Sequence, residues 1–210
     1  MLDNSMNSQD ALKKLIEGNQ RYVEQINNNK DLVVEINQSQ MASPQKPFAI
    51  IVGCSDSRVP PELVFHQGVG DLFIVRVAGN IVTPSQIGSI EFACQQFGAE
   101  LVVVLGHSQC GAVSATIDVL LGGAGELSPN LKSIVDSVTP AVQPIVKSAD
   151  ATDQQQLLND ATHANIEQSV NELQLRSQVL SDLTSQQKLK IIGAHYEIET
   201  GIVEFHQADT

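Results

Sequence analysis

Four short runs of apolar residues, rich in Val and Ile, constrain the fold of this 210-residue chain more than any other feature. They cover residues 47–54, 71–78, 100–107 and 189–198. Continuous apolar runs of this length are typical of strands buried on both faces, which is the situation of strands in a parallel sheet. The runs therefore predict a mainly parallel β-sheet that is covered by helices.

The segments between these runs have the apolar spacing of helices. One pattern follows Pro84, another follows Cys110, and a longer one extends from about Asn130 to Leu183. Alternating strands and helices define an α/β fold with right-handed crossovers. Residues 196–205 predict a terminal hairpin that turns at Thr200 and Gly201. We therefore expect an α/β fold with a mostly parallel four-stranded sheet, an added antiparallel edge strand and helices on both faces.

The N-terminus carries a separate amphipathic pattern. Residues 9–26 predict a helical arm, with Gly18 as a candidate interruption, and a polar connection follows at residues 27–45. A helix of this length with one apolar face is marginal alone in water, so the arm should pack on a partner subunit. The chain is accordingly divided into a helical N-terminal arm, residues 1–44, and an α/β domain, residues 45–210.

The charge balance and the cysteine count narrow the classes of function. The net charge of −12 argues against a nucleic-acid partner, because phosphate binding depends on clustered Lys and Arg. No run approaches the roughly 18 apolar residues of a membrane span, and no secretory signal begins the sequence. We therefore expect a cytoplasmic protein without a membrane partner. Cys54, Cys94 and Cys110 are too few for a disulfide framework, which leaves cysteine available to bind metal.

Two segments that begin where predicted strands end carry the candidate chemistry. The first contains Cys54, and the second contains His107 and Cys110. Ligands bind beyond the carboxyl ends of the strands in open α/β sheets. An imidazole and a thiolate three positions apart at the start of a helix can reach one ion. With Cys54 from the next strand they would form a Cys₂His set, and three protein ligands are typical of a catalytic zinc site.

Two charged residues follow Cys54 closely. Asp56 could accept a hydrogen bond from a metal-bound water, and Arg58 could hold Asp56 with two parallel hydrogen bonds and keep it off the metal. The alternative is a surface ion pair, which would contribute little. Their position beside the candidate ligands favours a role in the site.

Four segments together resemble the β-class carbonic anhydrases. They are CSDSR at 54–58, GDLFIVRVAGN at 70–80, HSQC at 107–110 and HYEIETGIVEF at 195–205. The resemblance implies zinc-dependent, reversible hydration of carbon dioxide to bicarbonate and a proton, by attack of zinc-bound hydroxide. It also implies one Zn²⁺ per chain.

The same resemblance assigns residues and an assembly. It makes Cys54, His107 and Cys110 the zinc ligands, and Asp56 with Arg58 the catalytic dyad. Positions that line the substrate pocket in the family, some of them across a dimer interface, are matched by Gln45, Phe73 and Phe92. It further implies a homodimer or a dimer of dimers, with the helical arm lying on the partner subunit.

Other functions share parts of this sequence pattern. The same zinc site could serve a hydrolase of carbonyl sulfide or carbon disulfide, which these motifs do not distinguish. A non-catalytic zinc module is disfavoured because structural zinc normally has four protein ligands. A phosphatase-type thiol loop would place Arg where Pro60 stands, and neither a dinucleotide fingerprint nor a phosphate-binding GK[ST] motif is present.

The remaining cysteine and histidines have weaker signals. Cys94 is expected in the core. His66 replaces an Asp expected from the resemblance and is either a proton relay or, more simply, a satisfied or exposed side chain. His163 is expected on the surface, and His195 and His206 carry no specific signal.

One departure from the family concerns regulation. Some β-class enzymes close their site when bicarbonate binds a second pocket built from Trp, Arg and Tyr. Arg76 matches the arginine, but Ile51 stands at the Trp position and the chain has no Trp. A lost hydrogen bond to a bound anion costs about 1–3 kcal/mol. We therefore expect no cooperative inhibition by bicarbonate, and an open zinc site at or above neutral pH.

Overall fold

The computed structural model describes residues 6–28, 42–123, 125–148 and 153–206. Seven helices are described there, together with a short 3₁₀ turn at Ala78–Asn80. The helices are α1 (Ser8–Asn27), α2 (Pro61–Val64), α3 (Pro84–Phe97), α4 (Gly111–Leu120), α5 (Pro129–Ser148), α6 (Gln154–Arg176) and α7 (Gln178–Ser185). In the part of the chain so described, no helix is long and apolar enough to cross a membrane.

The sheet has five strands in the order β2-β1-β3-β4-β5. They are β1 (Ala49–Gly53), β2 (Leu72–Arg76), β3 (Leu101–His107), β4 (Lys190–Tyr196) and β5 (Val203–Phe205). The first four pair in parallel, and β5 pairs antiparallel with β4. The prediction of a four-stranded parallel sheet with an antiparallel edge strand is confirmed.

Both faces of the sheet are buried, which explains the uninterrupted apolar runs. Ile51, Val103 and Leu105 face a core that includes Leu15 of α1. Alternate residues of the same strands face a second core against helices α3, α6 and α7. A third, smaller core joins α4, α5 and α6 and includes Cys54 and Cys110. The third core anchors the metal-site segments.

Helix α1 runs without a break through Gly18, contrary to the interruption expected there. A Cβ at this position would lie 1.9 Å from the Phe65 carbonyl oxygen, so glycine allows the helix to approach its neighbour closely. The next residue, Asn19, donates to the carbonyl oxygens of Val64 and Gly201 and accepts from the Val203 amide. The arm is therefore integrated into its own chain. The packing of residues 1–44 on a partner remains a prediction, and much of the polar connection lies outside the described residues.

Candidate metal centre

Two neighbouring strand ends bring the candidate ligands together. Cys54 directly follows β1, His107 is the last residue of β3, and Cys110 precedes α4. Strands β1 and β3 are adjacent and parallel, so their carboxyl ends meet. The ligand atoms of the three side chains all lie within 4.8 Å of one another, and all three residues are buried.

The His107 ring is oriented as a metal ligand would be. Its Nδ1 lies 2.8 Å from the Ser108 carbonyl oxygen, which can only accept, so Nδ1 carries the proton. Nε2 is then an acceptor, and it has no hydrogen-bond partner within the described residues although it is buried. A buried polar atom normally has a partner. An unprotonated ring nitrogen close to two sulfurs, with the other nitrogen bonded to a carbonyl, fits a bound zinc ion.

The two cysteines differ in acidity. A hydrogen bond from the Cys110 thiol lowers the pKa of Cys54 well below its usual range and raises the pKa of Cys110. The Gly79 amide also donates to the Cys54 sulfur at 3.4 Å. Cys54 is therefore set up as a thiolate, and a cation beside both sulfurs would favour the second thiolate.

Helix α6 holds the turn that supplies this amide. Asn165 donates to the Gly79 carbonyl oxygen at 2.8 Å, and Ser169 donates to the Asn80 carbonyl oxygen at 3.1 Å. Gly79 has a φ of 72°, and a Cβ there would lie 3.0 Å from the Ala112 Cβ. Glycine is thus favoured where the turn approaches Cys54.

Asp56 and Arg58 form the predicted pair beside these ligands. Asp56 Oδ1 accepts from the Arg58 amide at 2.9 Å and from Nε at 3.0 Å, and Oδ2 accepts from Nη2 at 2.8 Å. These bonds lower the pKa of Asp56 to about 2. Oδ2 lies 4.0 Å from His107 Nε2. The carboxylate is therefore ionised, tied to Arg58 and next to the candidate metal position.

The structure shows supporting residues that sequence spacing could not identify. Arg76 donates to the carbonyl oxygens of Cys54 and Asp56 at 2.8 and 2.6 Å. Ser108 donates to Glu197 at 2.7 Å, across a separation of 89 residues. No local motif signals such contacts. They fix the two metal-site segments to β2 and to the turn after β4.

Ile51 and Arg76 stand at the positions of the second bicarbonate pocket known from some β-class enzymes. Ile51 is fully buried in β1, and the Arg76 side chain is already bonded to two backbone carbonyls. The absence of bicarbonate inhibition stays a prediction.

The predicted substrate-pocket residues lie apart from the candidate ligands within one chain. Gln45 is exposed in the segment before β1. Phe73 pairs in register with Ile50, which is four residues, or about 13 Å of strand, before Cys54. Phe73 contacts Phe92, with ring centroids 6.4 Å apart, and Phe92 is 50% exposed. Their assignment to a substrate pocket is therefore a proposal that involves a second subunit.

Cys94 and His163 lie away from the candidate ligands, one in the core and one in a cluster of histidines. Cys94 is a core residue as expected, and burial raises its pKa to about 12. The expectation that His163 is a surface residue is wrong. It is half-buried, stacks on His195 and His206, and has its Nδ1 3.2 Å from His206 Nε2. Helix α6 packs on β4, which brings residues far apart in sequence together.

The fold and the donor set together are typical of one class of protein. An α/β sheet that gathers two sulfurs and one imidazole at its strand ends, beside a carboxylate held by arginine, is the arrangement of a mononuclear metal enzyme, and this donor set suits zinc.

Comparison with known proteins gives the family. The sequence pattern of carbonic anhydrases matches residues 49–203. The chain is 34% identical to carbonic anhydrase 2 of Mycobacterium tuberculosis over 191 residues, covering 91% of this chain and 89% of that protein. The solved β-carbonic anhydrase CcaA has a TM-score of 0.71 at 28% identity and covers 94% of this chain and 95% of its own. The chain belongs to the carbonic anhydrase family of enzymes, in its β class, whose general activity is the hydration of carbon dioxide.

A structure from Sordaria macrospora shares the fold. It comes from work on two tetrameric β-carbonic anhydrases of that fungus and has a TM-score of 0.73 at 20% identity. The match covers 95% of this chain and 98% of the other. The α/β architecture is therefore that of solved β-carbonic anhydrases.

Proposed function

We propose that this chain catalyses the zinc-dependent, reversible hydration of carbon dioxide, with Cys54, His107 and Cys110 holding one zinc ion. The observation that carries the proposal is the buried Nε2 of His107, which has no hydrogen-bond partner among the described residues and shares its site with two cysteine sulfurs. When bound, zinc supplies a Lewis acid that lowers the pKa of water and so provides a nucleophile near neutral pH.

Asp56 would orient the reacting water. An ionised carboxylate can only accept hydrogen bonds, so it selects the proton-bearing side of a water molecule. Its Oδ2 is close enough to the candidate ligands to do this, at 4.0 Å from His107 Nε2. Arg58 engages both carboxylate oxygens and so keeps Asp56 from becoming a further metal ligand.

The substrate pocket would be completed by a second subunit. Phe73 and Phe92 form an aromatic surface beside β2, which is an outer strand of the described sheet. Such a surface can supply an apolar wall for a small, uncharged substrate when it is covered by another chain. We place Gln45, Phe73 and Phe92 in that pocket, with carbon dioxide and bicarbonate as the small-molecule partners.

A homodimer or a dimer of dimers follows from this arrangement. The Sordaria macrospora structure comes from tetrameric enzymes, which supports the larger assembly. The N-terminal arm, residues 1–44, would extend the contact between subunits. Residues 45–210 would form the catalytic domain.

The rival functions make different demands on the site. A non-catalytic zinc module has no use for a carboxylate held beside the ligands by three hydrogen bonds from one arginine. A hydrolase of carbonyl sulfide or carbon disulfide would use the same residues. A turnover assay with each substrate separates it from a carbonic anhydrase.

A matched pair of cysteine variants tests the metal assignment. Cys110→Ala should lose bound zinc and activity, because it removes one of three ligands. Cys94→Ala alters another buried cysteine that lies in the core and should keep about one zinc per chain. Equal zinc contents in the two purified variants would contradict the assignment.

A further inference from the structure

Gln109 has an unusual backbone conformation beside the metal site. Its φ is 58°, and it is one of four non-glycine residues with positive φ in the described parts of the chain. Residues with long side chains rarely adopt this region, and such strain persists where surrounding contacts impose it, often at functional sites. The conformation therefore needs a reason.

This conformation allows both the side chain and the backbone of Gln109 to contact Arg58. Both oxygen atoms of Gln109 face Arg58. The side-chain Oε1 accepts from Arg58 Nη1 at 3.2 Å, and the carbonyl oxygen accepts from Nη2 at 3.4 Å. Nε and Nη2 of Arg58 also donate to Asp56. The guanidinium is thus held on one side by the carboxylate and on the other by Gln109.

Gln109 is itself anchored to the turn that follows β4. Its Nε2 donates to Glu199 Oε1 at 3.4 Å. The adjacent Ser108 donates from its backbone amide to the Tyr196 carbonyl oxygen and from its hydroxyl to Glu197, and its hydroxyl accepts from the Ile198 amide. The segment that carries Gln109 is therefore fixed to the terminal hairpin at several points.

We propose that Gln109 is a positioning residue that fixes Arg58 against Asp56, with Glu199 as its anchor. The inference rests on the proposed function for the role of Asp56. The Arg58 side chain is 46% exposed, so packing alone does not immobilise it. Without Gln109 the guanidinium gains rotational freedom, and Asp56 spends less time in the geometry that serves the reaction.

Substitution by glycine separates this role from a purely structural one. Gln109→Gly keeps the backbone conformation, which glycine adopts without strain, and removes the side-chain oxygen. It should lower kcat/KM for carbon dioxide hydration by about three- to tenfold, as expected for the loss of one solvent-exposed hydrogen bond. Its thermal stability should be unchanged or higher. Gln187→Gly is the matched control, because Gln187 is exposed, has a φ of 57° and is not part of the site.

A spectroscopic readout follows Arg58 directly. The sequence contains four arginines, so the Nε–Hε signal of Arg58 can be assigned by NMR of the zinc-loaded protein against Arg58→Ala. Gln109→Gly should move this signal and speed its exchange with water. Gln109→Glu keeps an acceptor oxygen for Arg58 but loses the amide that donates to Glu199. Combined with Glu199→Gln, which can donate to the new carboxylate, it should restore the signal and most of the lost activity.

These experiments distinguish failure of the positioning role of Gln109 from failure of the proposed function. An unmoved Arg58 signal in Gln109→Gly, or a moved signal with unchanged kcat/KM, overturns the positioning role. An unaltered chain without hydration activity overturns the proposed function instead. In that case the NMR comparison still decides whether Gln109 holds Arg58.

Discussion

Asp56 receives three hydrogen bonds from a single neighbour, Arg58, through its amide, Nε and Nη2. Arg58 thus donates to both carboxylate oxygens, which favours the ionised form of Asp56. Asp56 Oδ2 lies 4.0 Å from His107 Nε2. The proposed role of Asp56 depends on these hydrogen bonds. A carboxylate released beside a metal would be free to bind it.

Removal of Arg58 is the direct test of that statement. Arg58→Ala should keep zinc, because no ligand is lost, but kcat/KM should fall by about tenfold or more as Asp56 loses its orientation. Lys132 on α5 offers a control of the same type, because it forms another exposed ion pair, with Asp136, outside the proposed sites; Lys132→Ala should leave hydration kinetics unchanged. Near-native kinetics in Arg58→Ala, measured by stopped flow with zinc analysis, would remove the pair from the mechanism.

The residues of the pair and the candidate ligands could be predicted because each motif is local. Cys54, Asp56 and Arg58 lie within five positions, and His107 and Cys110 lie three apart. The contact between Arg58 and Gln109 could not be predicted. It joins residues 51 positions apart and depends on the positive φ of Gln109, a conformation that the residue type glutamine does not predict.

The strands and helices were predictable at the scale of elements because burial on both faces leaves an uninterrupted apolar pattern. Two features were not. Helix α1 continues through Gly18, where the sequence suggested a break. Glycine stands there because the helix lies so close to the Phe65 carbonyl oxygen that a Cβ would clash with it. The long pattern from Asn130 to Leu183 falls into parts of α5 and α7 and the whole of α6.

Three elements are also joined by histidines. His163 on α6 stacks on His195 of β4, with ring centroids 4.5 Å apart, and on His206 beyond β5, at 5.1 Å. Burial, followed by the nearby His163, lowers the pKa of His195 to about 4, although Glu197 opposes the shift. His206 and His107 are the other charged or titratable groups that act on it.

This stack predicts a pH-dependent stability. His195 has a lower pKa in the folded state than its ordinary value of 6.5, so the unfolded chain binds its proton first as the pH falls. The contribution of neutral His195 to the free energy of unfolding is fully present above about pH 6.5 and is lost as the pH falls toward 4. The loss between pH 8 and pH 5 should be about 2 kcal/mol.

His195→Phe keeps a ring against His163 but cannot titrate. Urea unfolding at pH 8 and pH 5 should therefore show a smaller loss of stability in the variant than in the parent chain. Comparison of the two proteins cancels the common effect of acid on the zinc ligands. Equal losses in both would contradict the assignment of the pH dependence to His195.

In the whole molecule, the aromatic cluster beside β2 is an exposed apolar surface suited to contact with a second subunit. Phe73, Phe92 and Phe97 contact one another, and Phe92 remains 50% exposed. The local sequence could not show that these rings lie far from the candidate ligands in one chain. That distance follows from the register of the strands, and it is why we expect a second subunit to complete the pocket.

A charge placed on this surface should weaken the assembly. Phe92→Glu should shift the mass measured by light scattering toward the monomer and reduce activity, because a carboxylate is costly to bury in an interface. Leu175→Glu is the control, since Leu175 on α6 is 84% exposed and belongs to none of the proposed sites. A dimer or tetramer that survives Phe92→Glu with full activity would place the interface elsewhere.

We propose that zinc held by Cys54, His107 and Cys110 makes this chain a carbon dioxide hydratase. Stopped-flow hydration and zinc analysis on one sample, during stepwise removal of the metal by a chelator and its replacement, test it most directly. We predict about one zinc per chain and an activity that falls and recovers in proportion to zinc content. A zinc-free sample with full hydration activity, or a zinc-loaded sample with none, would contradict it.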